Sequence, residues 1–244
     1  MSAASGGRSD TDTSLDDGRL MDQEMATKAV EKAIEYGASY ADIRLVSNQN
    51  TSISMRDGKV RNAIPGHDVG ATLRCLVDGS WGVYSTSDVK SITSQVESTV
   101  RLGRQVACRR ASDQHEVRLA EVPISTMDVH WRPQQDIRYV DIEEKVGVLA
   151  EFDSLIRTDD RIISVNTGFS DEHVHSELIS SEGMDRAWSF QRTCTNAIVT
   201  GREDGDVASY RTRVGGVGGY EAIEKVDIQE VAQNATRSTI RILS

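Results

Sequence analysis

Residues 69–89 read VGATLRCLVDGSWGVYSTSDV, and the order of side chains in this stretch decides the fold class. Val69, Ala71, Leu73, Cys75 and Val77 alternate with Gly70, Thr72 and Arg74. Successive side chains of a strand point to opposite faces, so this pattern predicts a strand with one buried face. Asp78-Gly79 follows, a dipeptide suited to the tight turn of a hairpin, and Ser80 to Ser85 is the returning strand. Upstream, Ile43 to Val46 is apolar and β-prone, Ile53 and Met55 alternate with polar neighbours, and Asp57-Gly58 marks another hairpin. Before these strands the spacing is helical: Ala26, Ala29, Val30, Ala33 and Ile34 form one stripe, and Gly37 is placed as its stop. Downstream, Ser87 is placed as an N-cap, and Ile92, Val96, Val100 and Val106 give a second helix.

The same succession recurs later in the chain. Residues 108–138 are irregular, contain Pro123 and Pro133, and read as a linker or crossover. Asp141 with Glu144 has the form of a capping box, and Ile142, Val146, Leu149, Ala150 and Ile156 form a third helical stripe. Strand-like segments follow at 161–168, 172–180, 187–200 and 206–214, with turns at Glu182-Gly183 and Asp204-Gly205. Asp227 and Glu230 form another capping-box pair, and Ile228, Val231, Ala232, Ala235, Thr239 and Ile242 carry a last helix to the final residues. The turn glycines Gly58 and Gly79 are 21 residues apart, and Gly183 and Gly205 are 22 apart. The expectation is an α+β fold of mixed α/β type, with antiparallel sheets flanked by helices. Two similar helix–sheet–helix halves, 21–107 and 139–244, are joined by 108–138. Residues 1–20, almost all Ser, Thr, Asp, Gly, Ala and Arg, read as a disordered tail. The last helix stops at Ser244 without an exit signal, which suggests the front part of something longer.

Composition removes several function classes. The longest apolar run, Val146 to Ala150, is far below the roughly 20 residues that span a bilayer, and the first residues lack the apolar core of a secretory signal. The expectation is therefore a soluble cytoplasmic protein with no membrane partner. Lys plus Arg number 28 against 38 Asp plus Glu, for a formal charge of −10. Phosphate binding would need a basic face against that sum, so no nucleic-acid partner is expected. The nearest basic run, Arg101, Arg104, Arg109 and Arg110, suits a helix C-terminus. The excess of 22 Arg over 6 Lys fits a salt-adapted source or a GC-rich genome equally well.

Chemistry-bearing residues are sparse. Cys75, Cys108 and Cys194 are far apart and odd in number, so they form neither a disulfide framework nor a metal pair. Cys75 and Cys194 are expected to be small buried hydrophobes. A zincin needs two histidines one helical turn apart beside a glutamate. His115-Glu116 has no such second ligand, so no catalytic or metal residue is assigned within these 244 residues. His173 and His175, flanked by Asp171, Glu172 and Glu177, share one strand face; that face is read as exposed and polar, with a metal grip as the alternative. The run Val214-Gly215-Gly216-Val217-Gly218-Gly219 lacks the Lys-Ser/Thr of a phosphate loop and reads as a close-packed turn or hinge. Asp159-Asp160 reads as a turn pair, and Trp81 as a plug at a sheet end.

The stretches GASYADIRLVSNQNTSISMRDGKV (37–60) and VGATLRCLVDGSWGVYSTSDV (69–89), with the GGYE after the glycine run, resemble the N-terminal part of the TldD/PmbA (TldE) family, nearer to TldD. The resemblance covers about residues 21–244. It implies a zinc metallopeptidase acting on small or unfolded peptides, historically also called a modulator of DNA gyrase. It further implies a cytoplasmic homodimer or TldD/TldE-type heterodimer. The family's His-Glu-x-x-x-His helix is absent from these residues, so the resemblance implies a chain inactive alone or a non-catalytic partner subunit. It also implies a domain that helps enclose the peptide cavity and holds peptides through their backbones, as in strand addition.

Overall fold

Three Asp-Gly dipeptides reverse the chain, and in each both residues take the left-handed backbone of a tight hairpin: Asp57, Asp78 and Asp204 have φ of 53°, 48° and 49°. The computed structural model describes residues 19–109 and 117–243. Helix α1 (Gln23–Glu35) is capped by the Asp22 carboxylate, which accepts the Met25 amide, and ends at Gly37 with φ 99°. Strands β1 (Tyr40–Arg56), β2 (Lys59–Val77) and β3 (Ser80–Thr86) follow, then a 3₁₀ turn (Val89–Gln95) and α2 (Val96–Arg109). The connection carries a two-residue strand, β4 (Val129–His130), and a 3₁₀ turn (Ile137–Tyr139). The second half comprises α3 (Ile142–Ile156), β5 (Ile162–Ser180), β6 (Asp185–Glu203), β7 (Asp206–Val217), the one-turn α4 (Glu221–Glu224) and α5 (Ile228–Leu243).

All seven strands join one sheet in the order β3-β2-β1-β5-β6, with β4 and β7 both on β6. The innermost strands are β1 and β5, paired antiparallel from Asp42 opposite Ser180 to Arg56 opposite Asn166. Each half is thus a helix, three antiparallel strands and a helix, with its first strand at the centre. This is the expected α+β fold with antiparallel strands flanked by helices. On the outer side of β6, β7 pairs with Arg192–Glu203, and β4 runs parallel beside Trp188 and Ser189.

The helices lie on one face. Ala26, Ala29, Val30 and Ala33 of α1 and Val96 and Val100 of α2 pack with Ile43, Leu45, Leu73 and Cys75. A second cluster joins Ile53, Met55 and Phe169 to Leu149 and Tyr220, and a third joins Val165, Ala197 and Val199 to Phe152, Ile156, Ala232 and Ala235. Each large apolar side chain so buried contributes about 1.5–3 kcal/mol. Gly82 explains the tight seat of α2: a Cβ there would lie 2.0 Å from the Thr99 carbonyl oxygen, so helix and strand backbones touch.

Several local expectations change. The segments around 43–46 and 53–55 are one strand, and 161–168 and 172–180 are also one. Pairing on both sides satisfies the backbone of Asn48–Ser52 and Ser170–Glu172 whatever their side chains. Pro65 is tolerated because β3 pairs only Ala71–Val77, leaving β2 an edge strand at Pro65. Ser87 caps no helix; a 3₁₀ turn begins at Val89 instead. Asp141 makes no side-chain cap, whereas the Asp227 carboxylate accepts the Glu230 amide at 2.9 Å. The connection is tied down at Val117 N–Gly79 O (3.0 Å) and Trp131 N–Ser189 O (2.9 Å). Residues 1–18, Arg110 and His115-Glu116 lie outside the described residues. Arg19 and Leu20, assigned to the tail by composition, are instead held: Arg19 pairs with Asp128 and Asp185, and the Leu20 amide donates to Glu177.

Candidate functional site

Between the first two apolar clusters, the helix-covered face of the sheet turns polar. Asp171, His173, His175 and Glu177 occupy alternate positions of β5 and are each no more than 5% exposed. The exposed-face reading of His173 and His175 is therefore corrected. Their strand is central, paired on both sides, and its odd-numbered face lies under the helices. His175 Nε2 lies 3.1 Å from Glu177 Oε1, which also accepts the Leu20 amide. The His130 ring stacks parallel to His175 at 5.9 Å, and its Nδ1 is 2.9 Å from Ser189 Oγ. Gln191 Nε2 lies 3.2 Å from His173 Nδ1, while Gln191 Oε1 accepts the Ile137 amide at 3.1 Å.

One helical turn into α3, Lys145 Nζ lies 2.7 Å from Asp171 Oδ2 and donates to the Ile137 carbonyl at 2.9 Å. Asp171 Oδ1 accepts the Thr51 amide at 2.9 Å. Nearby, burial opposes ionisation of Asp136, but the Arg138 guanidinium and the Arg138 amide outweigh it and hold that carboxyl below the usual range. Gln191 and Lys145 tie this band to the 3₁₀ turn at Ile137 and His175 bonds to Glu177, as buried polar groups tend to, while His175 Nδ1 and Glu177 Oε2 have no hydrogen-bond partner among the described residues. The metal implied by the family resemblance finds no fitting donor set in this band. The carboxylates face Lys145, His175 and backbone amides, and among the described residues no three His, Cys, Asp or Glu side chains are grouped to hold an ion.

Among the described residues no helix packs on the opposite face, which holds a groove of about 780 Å³ across β1, β5, β6 and β7. Its lining includes Asn48, Asn50, Ser52, Ser170, Glu172, Arg192, Cys194 and Arg213, with Gly215 and Gly216 on the β7 side. Its volume falls in the range of small-ligand sites. Arg192 pairs with Glu172 directly across the strands. Arg213 Nε donates to Cys194 Sγ at 2.8 Å. The glycine run is close-packed, as expected: at Gly215, φ 142°, a Cβ would lie 2.2 Å from the Thr193 carbonyl oxygen. Cys75 is buried, but the expectation for Cys194 is corrected; Thr193 and Thr195 take the buried phase and turn Cys194 to the groove. Trp81 packs edge-on to Tyr40 at 6.0 Å, beneath the Arg74 guanidinium. Asp159 binds Arg161 in its turn.

Sequence reading missed Lys145 and Arg213, though both left a trace. Lys145 lies four residues before Leu149, on the buried stripe of α3. Arg211 and Arg213 alternate in β7 and so share a face.

Comparison with known proteins adds to this geometry. The family model described as PmbA/TldA metallopeptidase domain 1 matches residues 41–107, and that described as the PmbA/TldA metallopeptidase central domain matches residues 135–243. A metalloprotease of Methanothermobacter thermautotrophicus is 26% identical over 216 residues, which is 86% of this chain and 44% of the relative. One from Methanocaldococcus jannaschii is 26% identical over 215 residues, covering 88% and 46%. The chain therefore spans less than half the length of these curated relatives. A crystal structure of a candidate modulator of DNA gyrase from Bacteroides thetaiotaomicron superposes with a TM-score of 0.68 at 20% identity, over 89% of this chain and 49% of that one. TldE from Thermococcus kodakarensis gives 0.65 at 13% identity, over 88% and 47%. At these identities the superpositions establish the shared fold.

Proposed function

The chain belongs to the TldD/PmbA metallopeptidase family, and from that premise we propose that it forms the N-terminal domain of a TldD-like metallopeptidase acting on small or unfolded peptides. Lacking a His-Glu-x-x-x-His helix, it has no hydrolytic activity alone. The carrying observation is the ordered match of the first and central family domains along a chain that contains no such motif. In this reading a metal ion, zinc in the intact enzyme, would supply Lewis-acid polarisation of a peptide carbonyl and an activated water, and no grouped donor set among the described residues would hold it. The chain's own part is to hold the peptide in the open groove. Asn48, Asn50, Ser52 and Ser170 present amides and hydroxyls able to donate to and accept from any peptide backbone.

The second reading makes the chain a non-catalytic subunit of a TldD/TldE-type dimer in the cytoplasm, shaping the substrate cavity of a metal-bearing partner; the absent motif motivates it as well. Among the described residues no helix is long and apolar enough to cross a membrane. The test assays the purified chain on unstructured peptides with and without zinc, alone and mixed with a metal-bearing TldD-type protein. The expected result is no cleavage alone, with stable association in the mixture if the second reading holds. Chelator-sensitive cleavage by the chain alone would overturn both readings.

A further inference from the structure

We propose that the helix-free groove contains a subsite for a carboxylate of an extended peptide, with Arg213 as its anchoring cation. The inference rests on the peptide-holding reading above and adds a substrate preference to it. The two arginines of the groove differ in state. Arg192 is neutralised by Glu172, while Arg213 pairs with no carboxylate among the described residues and is oriented only by its Nε bond to Cys194. With Nε so occupied, the terminal nitrogens of the guanidinium are left to grip an anion in its fork.

The surroundings favour an extended backbone as the carrier of that anion. Beside Arg213 the β7 wall bordering the groove has no side chains at Gly215 and Gly216, so main chain can approach closely. Asn48, Asn50, Ser52 and Ser170 are uncharged and make no demand on side-chain sequence. In a chain of formal charge −10, an unneutralised arginine at this position is a local reversal of sign, which selects an acidic group against a repulsive background. The carboxylate source is either an acidic side chain or the peptide C-terminus.

Fluorescence polarisation on the full purified chain distinguishes these. Three labelled peptides share one uncharged extended sequence: one carries an internal Glu and an amidated end, one has Gln in place of Glu and an amidated end, and one has Gln with a free C-terminus. The expected result is that at least one of the two carboxylate peptides binds about tenfold or more tightly than the Gln amide, and that which one does so identifies the source. Arg213→Gln should abolish that preference, Arg213→Lys should keep a weaker one, and Arg211→Gln, exposed on the same strand, should leave it unchanged. Equal binding of all three peptides by the native chain, or a preference that survives Arg213→Gln, overturns the subsite while leaving peptide holding intact. Binding of none of them overturns the subsite and the peptide-holding reading together.

Discussion

Lys145 Nζ stands 2.7 Å from Asp171 Oδ2, with the two side chains only 5% and 2% exposed, so helix α3 is joined to the central strand through a buried ion pair. Removing one partner leaves the other charge buried without compensation, and such losses cost about 3–5 kcal/mol. Lys145→Met should lower stability by that amount in urea denaturation. The double variant Lys145→Met with Asp171→Leu should recover much of the loss, because a well-packed apolar pair avoids the desolvation of both charges. A double variant no more stable than the single one would show that the pair's further bonds, to Ile137 O and Thr51 N, dominate.

Acid should weaken the fold through its turn carboxylates. Asp57 is held below its ordinary value of 3.8, foremost by the Arg157 guanidinium and next by the Val165 amide. Asp159, bonded to Arg161, is pushed down to about 2. A folded value below the unfolded one means that the stabilisation is present above the ordinary value and is lost as pH falls through the folded value. The Tm should therefore drop as pH falls from about 4 toward 2. Asp57→Asn should flatten part of that drop, since asparagine keeps the left-handed turn at φ 53° without the charge.

The glycine run offers a paired test of close packing. Gly215→Ala would force a Cβ to 2.2 Å from the Thr193 carbonyl oxygen at φ 142°, and should cost about 1–3 kcal/mol or displace β7. Gly216→Ala meets open space and should change stability by less than about 1 kcal/mol in the same thermal melt. Similar losses at both positions would mean that the run tolerates no side chain for a reason other than contact.

Thiol reactivity should follow burial. Cys75 is fully buried, and desolvation pushes its thiol up to about 12, so alkylation at about pH 8 should spare it until the protein unfolds. Cys108 is exposed and Cys194 borders the groove, so both should be modified in the native protein. Mass spectrometry of the alkylated chain separates the three sites.

Much of this fold is legible in the sequence because its signals are local. Asp-Gly at 57, 78 and 204 carries the hairpins in its own backbone preference, and the stripes at Ala26–Ala33 and Ala232–Thr239 mark helices that need one buried face. The polar parts of β1 and β5 are not legible in the same way. Asn48–Ser52 and Ser170–Glu172 lack apolar alternation, and they are strands because neighbours on both sides satisfy their backbones. The burial of His173 and His175 depends equally on a relation across the chain, with α3 and the Ile137 turn lying over a face that alternation alone reads as exposed.

What the sequence determined by itself is the order of helices and hairpins, the family resemblance carried by 37–60 and 69–89, and the absence of a His-Glu-x-x-x-His helix among these residues. Each of these rests on residue types at short, fixed spacing. The tertiary structure alone decided that β1 and β5 meet at the centre, that Lys145 reaches Asp171, and that Arg192, Cys194 and Arg213 share a groove on the helix-free face. Those relations join residues that are distant in the chain, 26 apart for Lys145 and Asp171, and only the pairing register of the whole sheet brings them together.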